Sequence, residues 1–123
     1  AAAMEQYEEA LRIDSESYTA LNNLAWMLAT RREAPYFDPG KAVRLAERAC
    51  MLTGDTVPRF LHTRAVAYAA AGRFSEAVQS ARHALNLARH LHRDDLSRRV
   101  EEHLQLFEQG RPFVETDSSG SAR

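Results

Sequence analysis

The chain holds one cysteine, Cys50, one tryptophan, Trp26, and one lysine, Lys41. A lone thiol cannot close an intrachain disulfide, which excludes the disulfide framework of a small secreted domain. No apolar run approaches the roughly 20 residues needed to span a bilayer. No signal-peptide pattern opens the chain. Charge of one sign is also lacking: 16 basic and 17 acidic side chains leave a net charge of -1. That balance gives no electrostatic footprint for nucleic acid or for a membrane surface. The near-exclusive use of arginine reads as compositional bias first.

Chemical signatures are missing as well. There is no Cys-x-x-Cys, no His-Glu-x-x-His, no nucleophile elbow, no phosphate loop and no dinucleotide fingerprint. His83 and His90 share a helix face without a ligand between them, and His90 and His92 diverge. All five histidines, His62 and His103 included, are therefore expected at the surface, and no metal or other cofactor is predicted. Adjacent carboxylates at Asp94-Asp95 and Glu101-Glu102 diverge on a helix, so capping and solvation explain them. Cys50 follows a small alanine on an apolar face and reads as a buried hydrophobe. No catalytic residue is predicted, and the chain is not expected to be an enzyme.

What is present is helical periodicity. Met4, Tyr7, Ala10 and Leu11 share one helix face, as do Leu21, Leu24, Ala25 and Leu28. Val43, Ala46, Ala49 and Cys50 repeat the pattern, then Leu61, Ala65 and Tyr68, then Ala77, Ala81, Ala84 and Leu85. Leu96, Val100, Leu104 and Phe107 form the last stripe. No stretch alternates with period two, so a sheet is not expected. Asp38-Pro39 supplies an N-cap and a first-turn proline. Gly54, Gly72 and Gly110 suit left-handed helix ends. Thr56 is expected to cap the helix holding Pro58, and Asp94 or Asp95 the last helix. The pattern predicts six helices, at about 2–13, 16–31, 39–53, 57–71, 74–91 and 94–109. From Val114 onward the composition predicts a disordered tail.

The stripes repeat one another. Tyr7 to Ile13 aligns with Ala46 to Leu52 and with Ala81 to Leu87. Their second alanines lie about 39 and about 35 positions apart, near the roughly 34-residue period of helix-turn-helix repeats. The stretch from Leu61 through Ala65, Tyr68, Gly72, Phe74 and Ala77 to Ala84-Leu85 resembles a tetratricopeptide repeat. Leu21-Asn-Asn-Leu24-Ala25-Trp26 followed by Lys41 to Cys50, with Gly110-Arg-Pro-Phe113 at the end, is similar to the last repeats of bacterial tetratricopeptide proteins. Arg64 departs from the pattern, which has leucine there. Its stem is expected to pack while its guanidinium reaches solvent or a glutamate, or else serves a polar interface.

The resemblance implies an all-α solenoid of antiparallel helix pairs. Residues 1–17 would be the second helix of a partial repeat, 18–56 and 57–91 two repeats, 94–109 a capping helix and 114–123 a tail. It implies a protein-interaction scaffold whose concave groove grips a peptide or helix of a partner. Projected onto this chain, the groove would hold Thr19, Asn22, Asn23, Trp26 and Thr30, with Arg59, His62, Thr63 and Val66. Trp26 is either a binding anchor or a residue packed beneath the long Arg31–Pro39 loop. Arg59 either holds a carboxylate or is solvated. The alternative function is a repeat appendage of a larger enzyme such as a glycosyltransferase, serving recruitment or oligomerisation.

The start at Ala1-Ala2-Ala3-Met4, inside a helical pattern, reads as a piece of a longer chain. Location is left open, with the cytoplasm favoured. Met4, Tyr7 and Leu11 should then be partly uncovered, which predicts self-association, as a homodimer, through that stripe.

Overall fold

In the computed structural model, residues 2–115 are described, and they form six α-helices with no strand among them. These are α1 (Ala2–Ile13), α2 (Tyr18–Thr30), α3 (Pro39–Leu52), α4 (Pro58–Ala70), α5 (Phe74–His90) and α6 (Asp94–Glu108). The periodic stripes thus become helices within a few residues of the expected bounds.

The turns use two devices. Asp38 caps α3 by accepting the Lys41 N–H at 3.1 Å, with Pro39 in the first turn. The α4–α5 turn closes with the Arg73 N–H on the Tyr68 carbonyl at 2.8 Å, and Gly72 sits at φ +79°. The end of α6 repeats this with Arg111 on Leu106 and Gly110 at φ +71°. Between α5 and α6 the same turn is made by His92 at φ 59°, a side-chain-bearing residue in the left-handed region.

Two expected caps are not made. Val57, not Thr56, stands at the α4 N-cap, and the Thr56 hydroxyl instead donates to the Thr53 carbonyl at 2.6 Å. Asp94 and Asp95 lie inside the first turn of α6, behind an Arg93 cap, where their charge still suits the helix dipole.

Packing follows from which faces are apolar. Helix α4 is buried nearly all round, from Pro58 and Phe60 through Ala69. A helix apolar on every side belongs in a core, and α4 packs against α2, α3, α5 and α6. Helices α3 and α5 turn alanine faces inward: Ala42, Ala46 and Ala49, and Ala77, Ala81, Ala84 and Ala88. Helix α6 buries only Val100, His103, Leu104 and Phe107, a single stripe. Helix α2 packs on α1, α3 and α4, whereas α1 meets α2 alone among the described helices.

Arg64 keeps its place in this packing through polar contacts. Its Nε donates to the Ser80 hydroxyl at 3.0 Å, and its guanidinium stands 3.4 Å from Asp55, an aspartate where a glutamate or water was expected. At the α1 stripe, Met4 is buried with the core, while Tyr7 and Leu11 are partly buried against it. Met4 is therefore covered, contrary to expectation, because α2 packs over it. The apolar side chains that stay exposed are Ile13, Tyr18, Met51 and Leu91. No described helix is long and apolar enough to cross a membrane.

Candidate functional site: a groove along α1, α2, α4 and α6

Helices α2 and α4 pack on each other, and α4 and α6 do likewise. Their shared face, with α1, bounds a groove of about 520 Å³. Asn22, Asn23, Trp26, Arg59, His62 and Thr63 of the predicted set line it. Three predicted residues do not. Thr19 is exposed outside the groove. Val66 is fully buried in the core. Thr30 is also fully buried: its hydroxyl donates to the Trp26 carbonyl at 2.7 Å, the back-bond open to a helical threonine.

The groove wall is an aromatic column that crosses helices. Trp26 meets His62 edge-on with ring centroids 5.5 Å apart. His62 stacks on His103 at 4.9 Å, and His103 leads on to Phe107 at 6.4 Å. His62 Nε2 and His103 Nδ1 are 2.7 Å apart, so one ring donates to the other. Both histidines are buried, which corrects the expectation of surface histidines for these two; His83, His90 and His92 are exposed. Burial, proximity to His103 and the charge of Arg99 push the His62 imidazole down to about 3. Burial and Arg99 push His103 down to about 4. Each ring is held neutral because a proton in this dry wall would lose its hydration. His103 fell one position before Leu104 on the inward stripe of α6, a spacing that places it inward.

The C-terminal segment returns onto this wall. After the Gly110 turn, Phe113 stacks on His103 with centroids 4.0 Å apart and tilts on Trp26 at 5.8 Å. The Glu115 N–H donates to the Thr30 carbonyl at 2.9 Å. The Glu115 carboxylate accepts from the Trp26 indole N–H at 3.3 Å and faces Arg31 at 3.4 Å. Val114 and Glu115, expected in a disordered tail, are therefore docked; residues 116–123 lie outside the described residues. Trp26 packs beneath this segment and at the groove, not beneath the Arg31–Pro39 loop. The composition of 114–123 concealed the docking, since two contacts spread over several helices leave no local pattern.

The polar character of the groove is uneven. Asn22 is only 5% exposed, and its Oδ1 has no hydrogen-bond partner. Such a buried amide oxygen costs about 1–3 kcal/mol relative to a satisfied one. Arg31, Arg59, Arg93 and Arg99 line the groove, and Glu115 is its sole lining carboxylate. Arg99 stands over the Trp26 ring at 5.8 Å and Arg59 over Phe60 at 5.3 Å.

No three metal-donor side chains gather anywhere among the described residues. Cys50 is buried, and burial pushes its thiol up to about 11. Set against protein-family models, curated proteins and solved structures, the chain matches none of them.

Proposed function

We propose that this chain is a non-catalytic protein-interaction scaffold of the tetratricopeptide type. In this reading it is an α-solenoid of about two and a half antiparallel helix pairs, closed by α6 as a capping helix. It grips an extended peptide or a helix of a partner protein in the groove along α1, α2, α4 and α6. The observation that carries the reading is the shared lining by alternate helices. Residues from α2, α4 and α6 face one hollow, as stacked repeats bring together what no single repeat holds. Asn22 and Asn23 offer donors and acceptors to a peptide backbone, and Trp26 offers a large apolar surface.

The test is a selection of binders from a displayed random-peptide library on the purified protein. Asn23→Ala combined with Trp26→Phe, which keeps most aromatic packing, is expected to weaken the selected peptides at least about tenfold. The melting temperature should move by less than about 4 °C. Equal binding by the double variant, or a selection that returns no binder, would remove the groove from this role.

A further inference from the structure

The groove has a charge that the chain as a whole lacks. Net charge is -1, yet four arginines and one carboxylate line this hollow. Of the four, Arg31 faces Glu115. Among the described residues no carboxylate lies within ion-pair distance of Arg59, Arg93 or Arg99. The nearest acids in sequence turn elsewhere. Asp95 pairs with Arg98, and Asp94 lines a separate depression with Arg89 and Glu101. Three guanidiniums held together without counter-charge repel one another, and an anion entering between them relieves that repulsion.

A second, independent feature points into the same hollow. Asn22 is buried in the groove lining with an unpartnered amide oxygen. An N–H from a ligand backbone would satisfy it. The chain's own 113–115 segment illustrates the chemistry alongside. A backbone N–H meets a helix carbonyl, an aromatic ring lies on the wall, and a carboxylate takes an indole N–H and an arginine. That segment leaves the Arg59, Arg93 and Arg99 side of the groove open.

We propose that the occupant of the groove is an extended acidic peptide segment. Its carboxylates pair with Arg59, Arg93 and Arg99, and its backbone serves Asn22, beside the docked Phe113–Glu115. This rests on the interaction reading above and narrows it to one class of ligand. A polyanionic RNA strand offers phosphates to the same arginines. The buried amide and the backbone-reading carbonyl of Thr30 favour a polypeptide.

The same random-peptide library separates the possibilities. Selected groove binders are expected to be enriched in Asp and Glu. Replacing those acids by Asn and Gln should weaken them at least about tenfold. The variant Arg59→Gln/Arg93→Gln/Arg99→Gln should lose a similar factor while its circular dichroism and urea midpoint stay near wild type. Raising ionic strength should weaken the wild type more than the triple variant. Neutral or basic peptides that still depend on Asn23 and Trp26 would overturn the acidic class while leaving the interaction reading standing. A selection returning no groove binder would overturn both. Tight binding of single-stranded RNA without binding of acidic peptides would overturn the peptide assignment.

Discussion

The two sides of α4 obey different rules. Toward α3 and α5 it meets alanine faces, with Ala42, Ala49, Ala77, Ala81 and Ala84 at 0% exposure. Toward α2 and α6 it meets the histidine pair, Thr63 and the groove. The first side is built for close approach, because a methyl side chain lets helix backbones near one another and carries no polar group to satisfy. The second side buries an imidazole pair and an unpaired amide, which costs stability. Groups kept at such a cost, on one face only, mark where the molecule is shaped for something other than its own packing.

Adding bulk on the alanine side should have the largest effect. Ala81→Leu leaves its new atoms nowhere to go, and about 3 kcal/mol of unfolding free energy should disappear. Urea denaturation measures it. A loss below about 1 kcal/mol would mean the alanine face is looser than its burial implies.

The groove side should respond to acid instead. His62 is held neutral in the fold, so the unfolded chain binds its proton first as pH falls below about 6.5. The stabilisation is complete above that value and declines as pH falls toward the folded pKa near 3. His62 alone should contribute a loss of about 2 kcal/mol by pH 5, at up to ~1.4 kcal/mol per pH unit. The urea midpoint should therefore fall between pH 7 and pH 5. A flat profile there would mean that these imidazoles are protonated in the folded protein.

The smallest shift should have the opposite sign. Asn22→Leu keeps the side-chain volume and removes the unpartnered amide, and about 1 kcal/mol of stability should be gained. Binding of selected peptides should weaken in the same variant. A loss of stability would show that Asn22 is satisfied in solution and would erase the contrast between the two sides.

Most of the fold was legible because each helix carries its own signal. The alanine and leucine stripes, Asp38-Pro39 and the turn glycines are local, and local periodicity decides which face turns inward. Six of the nine groove positions were legible for the same reason, since alternate helices present equivalent faces. Thr19, Thr30 and Val66 were misjudged because a helix face is about 100° wide, and its edges are settled by the neighbour's position.

What the sequence by itself determined is the all-helical chain, its breaks, and the small-residue faces on which helices close. Tertiary structure alone decided that His62 and His103 share a proton bond from positions far apart, and that Met4 is covered. It also decided that Phe113 and Glu115 return to Trp26 and Arg31. The physical reason is reach. Helix formation is governed by neighbours within one or two turns, whereas a buried polar pair or a docked segment exists only after several helices have packed.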